Sequence, residues 1–457
     1  MSGNASSERA RLGWAGGANS QTDRQTEQRE GLAAYVHIPF CAARCGYCDF
    51  NTYTNLDFGS GASAARFAQT IMREIHYSAQ VLHSASASLS SLSPLTSVFF
   101  GGGTPTVIPA RDIVALLENL RSTFGIRAGA EITVEANPES VTRETLAELQ
   151  AGGVNRVSFG MQSAREHVLS TLDRRHTPGQ VRAVTAMARE LGLEYSLDLI
   201  YGVPGESLAD WRASLRAAID LHPHHISAYA LTVEPHTPMG RQIERGVIAA
   251  PDPDDQADKY AIADEMLSDA GYKWYEISNW ARPGHESRHN LTYWREGNWW
   301  GYGPGAHSHI AGIRWWNVKH PIAYAQKLAA ADSAAHESGA GPKRIPHENT
   351  DGSALPDSAC SPVPSAPPRE EALRLGSALL PIEDGEQLSP AQIREEQIML
   401  GIRLREGIAL PEGTPERVIV QLLADGLLER EQAAAGRLVL TLRGRLLADV
   451  VTRALWD

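Results

Sequence analysis

Short apolar runs alternate with amphipathic stretches across residues 32–240. The apolar runs have the length of strands, and the stretches between them have the period of helices. The predicted strands are AAYVHIPF, LTSVFF, EITVEANP, RVSFGMQ, YSLDLIYGVPG and HISAYALTVEP. The predicted helices include Ala110–Phe124, Arg143–Ala151 and Gln180–Leu191. Because such alternation builds parallel sheets from βα units, we predict an α/β fold with a partial (β/α)6 barrel.

The rest of the chain differs from this region in composition. Residues 1–31 are rich in Ser, Gln and charge, which predicts a disordered tail rather than a signal peptide. Residues 241–330 hold most of the tryptophans and are predicted as an α/β extension of the barrel. Residues 331–390 are rich in Ala, Ser and Pro, which predicts a disordered insertion. Residues 391–457 combine helical periods with one strand, and we predict a small winged-helix-like domain.

Charge and cysteine content exclude several classes of protein. The formal net charge of -12 argues against a nucleic-acid surface, which needs a basic face. No apolar stretch approaches the length that crosses a bilayer, although peripheral contact with a membrane is left open. Three of the four cysteines are clustered, so they do not form a disulfide framework. We therefore expect the protein in a reducing cytoplasm.

The clustered cysteines are Cys41, Cys45 and Cys48, spaced C-x3-C-x2-C directly after the first predicted strand. Thiolates are soft ligands that suit iron–sulfur clusters and zinc. Three thiolates leave one iron of a [4Fe–4S] cube open, and S-adenosylmethionine (SAM) has an amino and a carboxylate group that can bind there. The alternative is a structural zinc site with His37 or Asp49 as fourth ligand. Structural zinc prefers paired Cys or Cys/His units, and the chain has no second unit.

The stretch YVHIPFCAARCGYCDF, residues 35–50, resembles the cluster motif of the radical SAM superfamily. Its HIPF segment narrows the resemblance to the oxygen-independent coproporphyrinogen dehydrogenase-like branch. The resemblance implies a [4Fe–4S] cluster on the three cysteines, with SAM at the open iron. The later run GGGTP resembles the glycine motif that holds the amino end of SAM, which implies roles for Gly102, Gly103 and Thr104.

Further motifs at predicted strand ends match the same family. The implied contacts to SAM or its adenine are Tyr35, Tyr47, Glu135, Gln162, Arg174 and Asp198. Strand ends share one face of a parallel barrel, so these side chains are expected to gather there. Taken singly, each has a plainer explanation, such as a helix cap for Asp198 or a surface ion pair for Arg174.

Two features of the sequence distinguish the members of this branch from one another. Dehydrogenases carry a fourth cysteine where this chain has Phe50, and a Phe there resembles the HemW-type heme chaperones. Residues 289–294, HNLTYW, match the H-N-x-x-Y-W motif of those chaperones, which implies heme binding through His289. Without the resemblance, a His beside Trp and Tyr is more often a core residue. His285, His307 and His309 also lie nearby in sequence as candidate ligands.

The resemblance implies a heme chaperone that binds heme, a [4Fe–4S] cluster and SAM and passes heme to an acceptor hemoprotein. Respiratory enzymes are among the candidate acceptors. The alternative is an oxygen-independent coproporphyrinogen III dehydrogenase, a radical SAM enzyme that decarboxylates its substrate oxidatively. Phe50 and the H-N-x-x-Y-W motif favour the chaperone.

We predict that Cys41→Ala, Cys45→Ala or Cys48→Ala abolishes iron binding, because each removes one thiolate from the cluster. Cys360→Ser is the matched control, since Cys360 lies inside the predicted insertion. The measurement is iron content and visible absorbance after anaerobic reconstitution. Loss of iron in the Cys360→Ser protein would contradict the assignment of the ligands.

Overall fold

The structure, a computed structural model, describes residues 31–59, 61–85, 94–337 and 379–456. The predicted N-terminal tail, except for its last residue, and Cys360 lie outside the described residues. Among the described helices, none combines the length and the apolar character needed to span a bilayer.

Six parallel strands form the centre of a twelve-stranded sheet. They are β1 (Leu32–Ile38), β2 (Leu95–Gly102), β3 (Ile126–Ala136), β4 (Arg156–Gln162), β5 (Glu194–Tyr201) and β6 (His225–Ala230). Each pairs in parallel with the next along the chain, which is the arrangement that repeated βα units produce. The α/β class and the predicted strands are therefore confirmed.

Six further strands extend this sheet at both edges. They are β7 (Lys273–Glu276), β8 (Asn279–Ala281), β9 (Asn298–Tyr302), β10 (His307–Ile310), β11 (Ile313–Asn317) and β12 (Ile382–Gln387). The strand order is β12-β11-β10-β9-β1-β2-β3-β4-β5-β6-β8-β7, and β9 runs parallel to β1. Because β12 and β7 do not pair with each other, the sheet stays open.

The helices up to residue 337 connect and cover these strands. They are α1 (Phe67–Ala85), α2 (Ala110–Phe124), α3 (Arg143–Ala151), α4 (Glu166–Thr171), α5 (Pro178–Glu190), α6 (Leu208–Asp220), α7 (Pro238–Glu244), α8 (Pro253–Asp269), α9 (Arg288–Trp294) and α10 (Pro321–Glu337). Local sequence determines where they begin. In α5, Thr177 precedes the first helical residue, Pro178, and forms a reciprocal capping box with Gln180.

Side chains alternate between the two faces of strands β4–β6. Val157, Leu197 and Ile226 belong to the buried apolar core. Their sequence neighbours Ser158 and Asp198 line a cavity on the opposite face. Since successive residues of a strand point to opposite faces, the same strands build both the core and a polar interior.

Both ends of segment 331–390, predicted as an insertion, are ordered. Helix α10 continues to Glu337, and β12 pairs antiparallel with β11 at the edge of the sheet. The sequence IEDGEQ of β12 is mostly exposed, so it carries no apolar pattern from which a strand is predicted. Residues 338–378 lie outside the described part of the chain.

The C-terminal residues have a small core of their own. Their helices and strands are α11 (Pro390–Gly401), β13 (Ile408–Ala409), α12 (Glu416–Ala424), α13 (Arg430–Ala434), β14 (Arg437–Leu438), α14 (Leu442–Leu446) and α15 (Ala448–Trp456). The pair β13–β14 forms a separate two-stranded sheet. The winged-helix likeness stays a prediction.

One arginine joins this C-terminal part to the main sheet. Arg445 donates to both carboxylate oxygens of Asp264 over 2.8 and 2.6 Å, and its guanidinium lies 4.4 Å from the ring centroid of Trp274. Such bidentate pairs fix orientation as well as distance. The small domain is therefore held to α8 and β7 by a specific contact.

A buried carboxyl group ties helix α1 to the Trp-rich extension. Glu74 accepts hydrogen bonds from Gly303 N, Asn317 Nδ2 and Tyr324 Oη at 2.8, 2.6 and 2.5 Å. Burial raises the pKa of Glu74 to about 7, although these three donors oppose the rise.

We predict that Glu74 contributes a fall in the free energy of unfolding as pH rises from about 5 to 7, and that Glu74→Gln removes this contribution from the pH profile. The folded protein holds the Glu74 proton in this window, whereas the unfolded chain, with a carboxyl pKa near 4.5, has lost it. One such group contributes at most about 1.4 kcal/mol per pH unit. Urea unfolding across the pH range measures the slope. The exposed Glu244→Gln is the control, and an unchanged slope in Glu74→Gln would refute the assignment.

Candidate functional site

A cavity of about 800 Å³ lies on the polar face of strands β1–β6 and reaches the loops after them. Every site residue predicted from the sequence lines it. These residues are Tyr35, Cys41, Cys45, Tyr47, Cys48, Gly102, Gly103, Thr104, Glu135, Gln162, Arg174, Asp198 and His289. The expectation that they gather is therefore met, while their roles stay predictions.

The cysteine loop follows β1 and is held by its backbone. Cys41 N donates to Tyr53 O over 3.0 Å, and Met239 N donates to Gly46 O over 2.8 Å. A Cβ at Gly103 would lie 2.5 Å from Phe40 O and 3.0 Å from the Cys41 sulfur. Only glycine permits this approach, so the glycine run shapes the loop as well as the cavity.

Two side chains donate hydrogen bonds to the thiols. Thr104 Oγ1 lies 3.8 Å from Cys41 Sγ, and Arg174 Nη1 lies 3.5 Å from Cys45 Sγ. Burial raises the pKa of Cys41 to about 11, so that thiol needs a neighbouring positive charge to ionise. Three soft donors with an arginine beside them fit an iron–sulfur cluster.

The same donor set is not arranged around a single ion. Across the described ranges, no three His, Cys, Asp or Glu side chains are grouped closely enough to hold one metal ion. A cube of four irons spreads its thiolates farther apart than one zinc ion does. The loop therefore fits the cluster better than the alternative zinc site.

Asn137 is a site residue that the sequence analysis missed. Its Oδ1 accepts from Arg174 Nη2 over 2.6 Å, and its Nδ2 donates to Thr104 Oγ1 over 2.9 Å. It therefore joins the two side chains that reach Cys41 and Cys45. The available signal was its position near the end of the predicted strand EITVEANP, where Glu135 is the one residue predicted to contact SAM.

Backbone geometry at the end of β4 places two further side chains. Gln162 has a φ of 59°, a left-handed conformation that non-glycine residues rarely adopt. A Cβ at Gly160 would lie 2.7 Å from Gln162 Nε2 and 3.1 Å from Arg174 Nη2. The missing side chain at Gly160 thus makes room for both groups in the cavity.

Two carboxyl groups lie in the middle of the cavity wall. Glu135 Oε2 accepts from Gly102 N over 3.1 Å. Asp198 accepts from Ser158 Oγ and Ser227 Oγ over 2.8 and 2.7 Å, so it binds neighbouring strands and is not a helix cap. Burial, followed by the charge of Asp198, raises the pKa of Glu135 to about 8. Glu135 can therefore donate or accept near neutral pH.

The two predicted tyrosines lie on different walls. Tyr35 Oη lies 3.0 Å from His37 Nδ1, and His37 Nε2 lies 3.0 Å from Asn51 O. Since the Asn51 carbonyl only accepts, Nε2 carries the proton and Nδ1 accepts from Tyr35. Tyr47 packs against an apolar cluster that includes Val168.

His289 is the best-buried of the cavity histidines, with 2% of its surface exposed. Both ring nitrogens have partners, with Ser97 Oγ 2.9 Å from Nδ1 and Tyr293 Oη 2.8 Å from Nε2. Phe99 stacks on the ring at 5.0 Å. Burial lowers the pKa of His289 to about 3, so the imidazole is neutral. In this conformation helix α9, which carries the H-N-x-x-Y-W motif, lines the cavity with both nitrogens of His289 already hydrogen-bonded.

The three neighbouring candidate histidines lie in different environments. His285 contacts His224 and lies 3.1 Å from Glu194. His309 Nδ1 lies 2.9 Å from the carbonyl oxygen of Gly297. Of the three, only His307 lines the cavity, and it is exposed.

Comparisons with known proteins agree with this geometry. Residues 35–218 match the radical SAM superfamily. The chain is 42% identical to the "Heme chaperone HemW" of Mycobacterium tuberculosis H37Rv, across 93% of this chain and 94% of that protein. It is 34% identical to the "Heme chaperone HemW" of Escherichia coli K12, across 65% of this chain and 76% of that protein. Coproporphyrinogen III oxidase (HemN) from Escherichia coli, a radical SAM enzyme, shares the fold with a TM-score of 0.69 at 21% identity, across 96% of this chain and 93% of that one.

We predict that Asp198→Asn lowers the pKa of Glu135 from about 8, because it removes the negative charge that helps to hold the Glu135 proton. Infrared titration of the carboxyl bands, with Glu135→Gln used to identify the Glu135 signal, measures the change. Asp210→Asn, which alters a partly buried helix-capping carboxylate outside the cavity, is the control. A Glu135 midpoint near 4.5 in the unaltered protein would contradict the burial argument.

Proposed function

Because the chain belongs to the HemW heme chaperone family of the radical SAM superfamily, we propose that it is a heme chaperone. It binds heme, a [4Fe–4S] cluster and SAM, and it passes heme to an acceptor hemoprotein in the cytoplasm or at the face of a membrane. The observation that carries the proposal is the 42% identity to a heme chaperone across 93% of this chain.

Cys41, Cys45 and Cys48 would hold the cluster, which when bound supplies an iron open to the amino and carboxylate groups of SAM. Gly102 and Gly103, at the end of the neighbouring strand β2, would let SAM approach the backbone closely. Arg174 supplies a planar cation that can pair with a carboxylate. The cavity therefore contains donors and acceptors for both ends of the cofactor's methionine group.

The remaining predicted residues would hold the nucleoside part of SAM. Glu135 and Asp198 provide acceptors for ribose hydroxyl groups, and Gln162 offers an amide beside Arg174. The rings of Tyr35 and Tyr47 provide flat surfaces for adenine. In this assignment SAM would occupy the end of the cavity near the cysteine loop, and a second ligand could bind against the wall formed by α9.

Phe50 supports the chaperone over the dehydrogenase. It lines the cavity two residues after Cys48, and 61% of its surface is exposed. An apolar ring cannot supply the thiol that the dehydrogenases carry at this position. An exposed Phe at the edge of a cavity instead suits contact with an apolar macrocycle.

Heme would lie against the aromatic wall that Phe99, Tyr293 and Trp299 contribute to the cavity. The family resemblance assigns the iron to His289. In the present conformation this requires opening the hydrogen bond between His289 Nε2 and Tyr293 Oη, since that nitrogen already has a partner.

We predict that the anaerobically reconstituted protein binds about one heme per chain and then transfers it to an apo-hemoprotein. Heme titration by difference absorbance, with and without SAM, measures the first step. Appearance of the acceptor's own spectrum measures the second.

The dehydrogenase gives a different result in an anaerobic assay with SAM, a reductant and coproporphyrinogen III. Formation of protoporphyrinogen IX at catalytic turnover would overturn a chaperone-only function. Failure of the wild-type protein to bind heme would overturn the proposal itself.

A further inference from the structure

We propose that Glu131 is a positioning residue for the heme ligand: its carboxylate holds the first turn of α9 and thereby fixes where the His289 ring lies in the cavity. This inference rests on the proposed function, in which His289 binds the heme iron. Glu131 itself is outside the cavity-lining set, so it would act through α9 and not by touching heme.

The carboxylate of Glu131 is buried and accepts four hydrogen bonds. Its Oε1 accepts from Ser287 Oγ over 3.1 Å and from His289 N over 3.0 Å. Its Oε2 accepts from Arg288 N over 3.1 Å and from Arg156 Nη1 over 3.3 Å. Three of these four donors belong to the start of α9, which is distant from Glu131 in the chain.

Helix α9 has seven residues, and two acceptors share the N–H groups of its first turn. Ser287 precedes the helix, and its hydroxyl and carbonyl oxygens accept from Asn290 N and Leu291 N over 3.3 and 3.0 Å. Glu131 accepts from the other two N–H groups of this turn. Because a helix this short is not stable on its own, its place in the fold depends on such contacts.

Neighbouring positions on the sheet hold both the backbone and the ring of His289. Ser97 on β2 is paired in register with Glu131 on β3. Ser97 Oγ lies 2.9 Å from His289 Nδ1, while Glu131 accepts from His289 N. With iron on Nε2, Nδ1 would carry the proton and donate to Ser97, and such a contact orients a metal-binding imidazole. The two strand residues therefore define the position and the orientation of the ring.

Arg156 on β4 completes this support. Its Nη1 lies 3.3 Å from Glu131 Oε2 and also donates to His285 O over 3.1 Å. The side chains of Arg156 and Glu131 are only 4% and 5% exposed. Burying a carboxylate is costly without a cation beside it, so Arg156 offsets that cost. A negative charge also suits the first turn of a helix better than a neutral amide does.

The anchored turn also suits the opening that iron binding requires. Tyr293 Oη lies 2.8 Å from His289 Nε2 and has to move before iron can bind that nitrogen. Tyr293 lies about one turn beyond His289 in α9, whereas Glu131 contacts the first turn. Glu131 therefore keeps the ligand in place while its neighbour in the helix is displaced.

The test is heme titration of the cluster-loaded full chain, measured by difference absorbance and by electron paramagnetic resonance. Glu131→Gln keeps the size of the side chain but removes its charge and one acceptor oxygen. We expect it to weaken heme binding by about tenfold to a hundredfold and to change the spectrum of the iron, as the loss of outer contacts to a metal ligand does. Glu131→Asp keeps the charge but shortens the side chain, and it should cause a smaller change in the same direction.

Hydrogen exchange of the heme-free protein gives a readout that does not depend on heme. Glu131→Gln should lower the protection of the α9 amides, while the amides of β5 and β6 keep theirs. Ser287→Ala removes one hydrogen bond to Glu131 and leaves the ion pair with Arg156 intact. It should change both readouts in the same direction, and it decides the test if circular dichroism shows that the Glu131 variants are not folded.

Glu206→Gln is the matched control, because Glu206 and Lys259 form another buried ion pair with a nitrogen–oxygen distance of 3.3 Å. Glu206 is outside the cavity-lining set, so this variant should keep the wild-type heme affinity and spectrum. A double variant provides the second comparison. Since Glu131 acts through the His289 ring, Glu131→Gln should weaken heme binding no further when it is combined with His289→Ala.

An unchanged heme affinity and spectrum in a folded Glu131→Gln protein would overturn the role of Glu131, while heme binding by the wild type would stand. A further loss of affinity in the double variant would also overturn it, because Glu131 would then act by a route other than His289. If the wild type binds no heme, the proposed function is overturned together with this inference.

Discussion

The two-residue alternation along strands β1–β6 is the constraint on which the site depends. Apolar positions such as Val157 and Leu197 pack into the core, which forces Ser158 and Asp198 toward the interior. A shift of one residue in any of these pairings would exchange the two sets. Such a shift would also break the hydrogen bonds that Ser158 and Ser227 donate to Asp198, which adds to its free-energy cost.

Much of this arrangement was predictable because its signals are local. Strands β1–β6 and several helices follow from apolar periods, and the predicted cavity residues follow from the resemblance of strand-end motifs to the family. Asn137 was missed because its role depends on Arg174 and Thr104, which are distant in sequence. Strand β12 was missed because an exposed edge strand is formed by pairing with its neighbour, not by burial of its own side chains.

The two cavity histidines His289 and His307 differ in whether their ring nitrogens already have hydrogen-bond partners. His289 lies in the more distinctive motif, yet its ring completes a closed network with Ser97 and Tyr293. His307 lies in an unremarkable run, yet its ring is open to the cavity. Whether a ring nitrogen already has a hydrogen-bond partner cannot be read from the sequence, because folding brings the partner into contact.

The position of β12 has a consequence for how the sheet ends. Among the described strands β12 is outermost, with β11, β10 and β9 between it and β1. Its sequence, IEDGEQ, is mostly exposed and carries three acidic side chains. An edge strand has unpaired backbone groups, and charged side chains on it oppose pairing with a strand of another chain. The acidic composition of β12 therefore protects this edge of the sheet against aggregation.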